Sequence, residues 1–172
     1  MKRKRIHETG KLILGCETYI VHRNSVLMHK RDENKKIFPG YWIGPGGHVD
    51  EGEDVMSTAI REVVEETGVL LGEKDIELKV IAFHHHVDRG ETWIEYLFRA
   101  TIQSDQAVQN TIEGESKWIP IEELQKLQNI FPPSKYYLNH IVKNMPGILY
   151  NSSEWNNAEL VKINSEHFDK IG

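Results

Sequence analysis

At 172 residues with 39% hydrophobic content, the chain has the length for one domain with a proper core and too little for two. A net charge of -5 excludes a general attraction for nucleic acid, so no stable nucleic-acid complex is expected, and an anionic ligand has to be drawn in by metal or by local Lys and Arg. The one cysteine, Cys16, excludes an internal disulfide and fits a reducing, cytoplasmic setting; as a small apolar side chain it is assigned no chemistry.

The basic start, Lys2, Arg3, Lys4 and Arg5, reads as a solvated tail. The apolar run after it, residues 12–14, is too short for a signal-peptide core or a membrane span. Residues 12–21 and 25–29 are rich in β-prone side chains on either side of Arg23-Asn24, which predicts a hairpin. Residues 30–36 are polar or charged and read as a loop; lying just ahead of a glycine-rich stretch, its Lys30 and Arg31 are candidate phosphate contacts. Phe38-Pro39-Gly40-Tyr41-Trp42 follows, with a turn at Pro39-Gly40 and Trp42 at a strand end, where an indole either stacks on a base or anchors the core.

The stretch from Ile43 to Val69, IGPGGHVDEGEDVMSTAIREVVEETGV, organises the rest. Asp54 predicts an N-cap and Gly68 a C-terminal stop, with no Pro or Gly between them. Helical spacing puts Glu62, Glu65 and Glu66 on one face, and Met56, Ile60, Val63 and Val64 largely on the other. Three carboxylates on one face repel by roughly 0.2–0.5 kcal/mol per i, i+4 pair. Arg61 can pair with Glu65 but cannot alone neutralise Glu53, Glu62, Glu65 and Glu66. A hard divalent cation, Mg²⁺ or Mn²⁺, is the simplest neutraliser, because it prefers oxygen ligands and keeps several waters. Gly44, Gly46 and Gly47 let backbone approach a ligand, so a bare carbonyl can join the metal shell.

After the helix, residues 76–87 and 92–102 flank the turn Asp88-Arg89-Gly90 and predict a second hairpin. Of His84, His85 and His86, strand alternation lets only His84 and His86 converge, and no third spaced His or Cys accompanies them. They read as surface strand residues or as one wall of a substrate cleft. Residues 104–111 read as loop, 112–120 as a short strand ending at Pro120, and 121–128 as a short helix with Glu122 and Glu123 in its first turn. Phe131-Pro132-Pro133 breaks the chain, and residues 134–143 predict a last helix capped by Ser134. Residues 148–172 carry Leu149, Tyr150, Trp155, Leu160, Val161 and Ile163, too apolar for a disordered tail; they pack on the domain or supply a homodimer contact.

Nine positions, Gly47, Glu53, Arg61, Glu62, Val63, Glu65, Glu66, Gly68 and Val69, stand at the spacing of one signature. The chain resembles the Nudix hydrolases at every fixed position of that signature. The resemblance covers roughly residues 11–145, leaves 146–172 as a C-terminal extension, and implies an α/β/α sandwich around a mixed β-sheet. It implies an enzyme that cleaves a nucleoside diphosphate linked to another group. Glu62, Glu65 and Glu66 would hold Mg²⁺ or Mn²⁺ with the Gly46 carbonyl, while Gly47, Glu53 and Gly68 support the motif. By the same resemblance a carboxylate among Glu65, Glu66 and Glu113 serves as base, Arg61 orients the glutamates, and Glu113-Gly114 matches an acidic loop, with Glu115 second to Glu113. Arg31 and Trp42 are the candidate substrate contacts. The segment from Pro39 to Gly47 is similar to that of triphosphate-cleaving members. That segment does not fix the substrate; general resemblance to the MutT-like branch implies a nucleoside triphosphate, unmodified or oxidised such as 8-oxo-dGTP. A nucleotide sugar or dinucleoside polyphosphate is the alternative, and a binding-only regulator is the reading from a different class.

Overall fold

The computed structural model describes residues 10–103 and 106–168, so the basic residues 2–5 lie outside the described residues. Strands β1 (Lys11–His22) and β2 (Ser25–Arg31) make the predicted hairpin, Val21 opposite Val26. β1 is buried without a break from Gly15 to Val21, because both of its faces are covered. Alternation sends Cys16 and Ile20 to one side of the sheet and Tyr19 and Val21 to the other.

Strands β3 (Trp42–Ile43) and β4 (Gly46–His48) lead into helix α1 (Val55–Thr67). Asp54 starts that helix by accepting the Met56 and Ser57 N–H groups at 2.8 and 3.0 Å. Gly68, at φ 74°, ends it by donating to the Val64 carbonyl. Ala59 and Val63 of α1 pack on Cys16, Ile20 and Leu27, and a fully buried Val or Leu contributes about 1.5–3 kcal/mol. Thr67 is tied in twice, donating to the Val63 carbonyl at 2.6 Å and accepting the Val69 N–H at 3.1 Å.

Strands β5 (Ile76–His86) and β6 (Glu91–Thr101) form the second hairpin, followed by β7 (Gly114–Pro120) and helix α2 (Ser134–Val142). α2 lays Tyr137, Leu138 and Ile141 on Tyr19, Ala82 and Leu97, on the sheet face opposite α1. Strands β8 (Ile148–Asn156) and β9 (Glu159–Phe168) close the chain as a hairpin. The strand order is β3-β2-β1-β6-β5-β8-β9, with β4 beside β1 and β7 beside β2. The β1/β6 and β5/β8 pairs are parallel and the rest antiparallel, so the sheet is mixed. A mixed sheet between two helical layers is the sandwich the resemblance implied.

Three expectations change. Lys30 and Arg31 are not loop residues but the end of β2, because β7 extends the pairing as far as Arg31 opposite Gly114. Ser134 is not the cap of α2: it is the first helical residue, buried, with its hydroxyl donating to Tyr137 Oη at 3.3 Å, and Pro133 holds the cap position. Residues 121–126 wind as a 3₁₀ rather than an α-helix. Of the two roles given to the C-terminal extension, packing on the domain is the one observed, since β8 adds to the sheet along β5. No helix among the described residues is long and apolar enough to cross a membrane.

The placement of β1 creates the site. One edge of β1 pairs with β4 at Gly15–Glu17 and with β2 at Ile20–His22. The sheet therefore forks, and the glycine turn enters at the fork.

Candidate active site

Gly46 makes the fork close. A Cβ there would stand 2.0 Å from the Cys16 carbonyl oxygen, so only glycine lets β4 lie this near β1. The Gly46 N–H then donates to Glu66 Oε2 at 2.9 Å. The other Glu66 oxygen faces His29 Nε2 at 3.7 Å, and His29 Nδ1 shares a hydrogen bond with Ser116 Oγ at 2.9 Å. Burial pushes the Glu66 carboxyl up to about 7, against the Gly46 bond, which lowers it. Burial, aided by Arg31 and Lys35, pushes His29 down to about 4.

Arg61 gathers the other motif carboxylates. Its Nε and Nη2 donate to the two Glu53 oxygens, both at 2.9 Å, and its Nη1 donates to Glu62 at 2.8 Å and Glu65 at 3.1 Å. The expected pairs with Glu53 and Glu65 are thus both present. Hydrogen bonds from Arg61 and then Thr58 hold the Glu53 carboxyl down at about 2. One guanidinium serves three glutamates, and Glu66 is left to Gly46 and His29.

These groups open onto a cleft of about 460 Å³ lined by Glu62, Glu65 and Glu66, with Gly46 and Gly47. Arg31, Lys35 and Glu113 line it as well. Arg31 is steadied by a 3.0 Å bond from its Nε to the Ile37 carbonyl, and Lys35 donates to Glu113. Glu113 is therefore in the cleft, whereas Glu115 pairs with Lys117 and Lys30 with Glu33, neither of them lining it. Trp42 packs against the core cluster around Tyr137 and does not line the cleft. Its indole is the core anchor, because β2 on one side and the chain at Asn129 and Phe131 on the other pair with its backbone.

Among the described residues no three His, Cys, Asp or Glu side chains stand as a ready metal cage. An ion that keeps most of its water and takes substrate phosphates into its shell needs one or two carboxylates, not a cage. The donor set, all oxygen and undercompensated in charge, fits such an ion.

Several cleft residues were not singled out from the sequence. Glu17, on β1, is buried in the floor and accepts from Tyr19 Oη at 2.7 Å; burial and then the Glu95 carboxylate raise its pKa. A glutamate inside an otherwise apolar strand was the available signal. Glu95 and Trp93 of β6, with Phe38 and Phe131, line the far end. His84 and His86 are buried in its wall while His85 points away to Thr92, as alternation required.

A NUDIX domain model matches residues 18–140, and the chain belongs to the Nudix family. Uncharacterized Nudix hydrolase YvcI of Bacillus subtilis is 29% identical over 114 residues, covering 64% of this chain and 70% of that protein. The m7GpppN-mRNA hydrolase NUDT17 of Xenopus laevis is 46% identical over 48 residues, which span 28% of this chain and 16% of that protein. A MutT protein from Bacillus halodurans shares the fold, with a TM-score of 0.74 at 23% identity over 90% of this chain and 97% of that one.

Proposed function

We propose that the chain is a Mg²⁺- or Mn²⁺-dependent pyrophosphohydrolase acting on a nucleoside triphosphate, unmodified or oxidised as in 8-oxo-dGTP, with residues 1–172 forming one catalytic domain. The observation that carries this reading is the meeting of Gly46 and Glu66 at the sheet fork, with Glu62, Glu65 and Glu66 lining one cleft and Arg31 and Lys35 lining it beside them.

A divalent ion bound among Glu62, Glu65, Glu66 and the Gly46 carbonyl supplies neutralisation of phosphate charge and a more acidic water. Arg61 fixes the rotamers of Glu62 and Glu65 by hydrogen bonds, a positioning role. Arg31 and Lys35 bind phosphate oxygens on the opposite side. Water adds to one phosphorus, the anhydride P–O bond breaks, and pyrophosphate leaves with the bonding electron pair. The water's proton passes to a carboxylate among Glu65, Glu66 and Glu113; Glu113, tied to Lys35, is the one that stands outside the helix.

Product analysis on a panel of triphosphates, oxidised triphosphates, nucleotide sugars and dinucleoside polyphosphates, with Mg²⁺ or with chelator, tests this. Metal-dependent release of pyrophosphate and monophosphate supports the reading. Turnover restricted to diphosphate-linked compounds replaces the substrate class, and binding without turnover of any compound replaces the enzyme with a regulator.

A further inference from the structure

Residues 148–168 lie beyond the segment matched by the family model. β8 is taken up by the wall of the cleft, where its parallel pairing with β5 sets Ser153 beside His84 and Trp155 beside His86. β9 is not: it stands last in the strand order, and none of its residues lines the cleft. One of its sides pairs with β8, and the other pairs with nothing among the described residues.

That bare edge differs from the sheet's other edges. β3, at the opposite end, is two residues long, and Trp42 gives its N–H to the Asn129 carbonyl while its own carbonyl takes the Phe131 N–H. β4 is three residues long and gives the Gly46 N–H to Glu66. On β7 the Ser116 N–H goes to Asn110 Oδ1 at 3.0 Å. β9 runs for ten residues, and no backbone group on its outer side has a hydrogen bond among the described residues. Such a row of donors and acceptors is a template for a further strand.

The side chains say which strand. Lys162, Asn164 and Glu166 are exposed and alternate onto one face. β8 sets Glu154 opposite Lys162 but offers Glu166 no cation, since Tyr150 stands opposite it. A strand that pairs antiparallel with its own copy about a two-fold axis sets residues equally far on either side of the axis opposite one another. With the axis at Asn164, Lys162 meets Glu166 of the partner subunit, Glu166 meets the partner's Lys162, and Ile163 meets the partner's Ser165. Residues 160–168 are then all paired, which leaves out only Glu159. Moving the axis to Ile163 sets Lys162 against Asn164 and Glu166 against Leu160, so the charges select one register. A lone lysine on an edge guards against pairing, whereas a lysine that meets a glutamate in one register specifies it.

We propose that β9 is a homodimer edge: two copies of the chain join antiparallel through β9 about Asn164, running their sheets into one and closing each Lys162 on a Glu166. The pairing is isologous, so it uses the free edge of both copies and stops at two. One strand laid on one strand buries less than a standard interface, which sets the dissociation constant in roughly the micromolar range.

Sedimentation velocity over a concentration series tests this without turnover. The wild-type chain passes from monomer to dimer as its concentration rises through the micromolar range. Glu166→Lys sets lysine against lysine at both ends of the pairing and raises the dissociation constant roughly tenfold or more. Adding Lys162→Glu rebuilds both pairs with the charges exchanged and brings the constant back to within about threefold of the parent. Both variants are made in a Glu154→Gln parent, so that Lys162→Glu meets no like charge on β8. A wild-type chain that stays monomeric up to about 1 mM overturns the proposal. So does a dimer that Glu166→Lys leaves intact, since its contact then lies on another surface. A double variant as weak as Glu166→Lys overturns it too, because the lost dimer then owes nothing to the Lys162–Glu166 pair.

Discussion

Two buried histidines are held in the same manner, each with Nδ1 on a serine hydroxyl and Nε2 turned to a glutamate; His84 lines the cleft and His29 does not. His29 joins Ser116 to Glu66, and His84 joins Ser153 to Glu95. The first glutamate has a second anchor in the Gly46 N–H, whereas Glu95 Oε2 has no aligned partner among the described residues. A carboxylate held from both sides is preorganised for charge, whereas Glu95 Oε2 is buried against His84 alone. The difference assigns the preorganised charge to the helix end of the cleft.

The largest test of that division is Glu66→Gln. The change keeps shape and removes a charged ligand, so kcat falls by roughly 10³-fold or more with a small change in KM, measured with Mg²⁺ on the best triphosphate of the panel. Relief of repulsion with Glu62 lets the fold survive. A mutant with near-normal kcat removes Glu66 from the chemistry and ends the comparison.

Trp155→Ala asks whether the β8 end is part of the structure or an appendage. Trp155 is 1% exposed, stacks on Phe131 and His86, and closes the hydrogen-bonded chain at Ser153. Truncating a buried Trp costs about 3–5 kcal/mol, read as a lower urea midpoint. A loss under about 1 kcal/mol, within the range of surface substitutions, would mean the hairpin holds the wall only loosely.

The same contrast explains what could be read from the sequence. Glu62, Glu65 and Glu66 were legible because one helix relates them by its own 3.6-residue period, and Arg61 meets Glu65 by i, i+4 spacing. His84 and His86 sharing a face was legible from strand alternation. Their partners were not, because Glu95 and Ser153 reach His84 through the pairing of β5 with β6 and β8, and register between distant strands has no local signal. Trp42 was ambiguous for a related reason: an indole at a strand end has the same local sequence whether it faces ligand or core, and here the core cluster around Tyr137 takes it. Lys30 and Arg31 read as loop because a charged run hides a strand whose partner, β7, lies more than eighty residues further on.

Acid and base titrate different groups around the cleft. Burial lowers His29 and His86 from 6.5 to about 4, so the neutral forms are favoured in the fold, and that stability, full above pH 6.5, is lost as pH falls through 4. Burial raises Glu66 from 4.5 to about 7 and also raises Glu17, so the fold binds the extra protons, and that stability, full below pH 4.5, is lost as pH rises through 7. Above pH 6.5 only the carboxylates still change. In chelator the protein is therefore less stable at pH 8 than at pH 6.5, on the order of 1 kcal/mol for Glu66. Urea unfolding at the two values checks this, and Glu66→Gln flattens the difference while Glu95→Gln leaves the Glu66 part in place.

The smallest effect separates the helix as a scaffold from the helix as a site. Asp54 accepts two backbone N–H groups and the Ser57 hydroxyl at the start of α1, so Asp54→Ala frays the first turn and lowers Tm by roughly 2–4 °C. The chemistry sits two turns further on, where Arg61 and Gly46 hold the glutamates by contacts that do not pass through the cap. kcat should therefore stay within about twofold of wild type. A drop in kcat as large as that of an Arg61 variant would show that the helix must be pinned at both ends for its carboxylates to act, and would extend the rate-setting region from the sheet fork to the whole of α1.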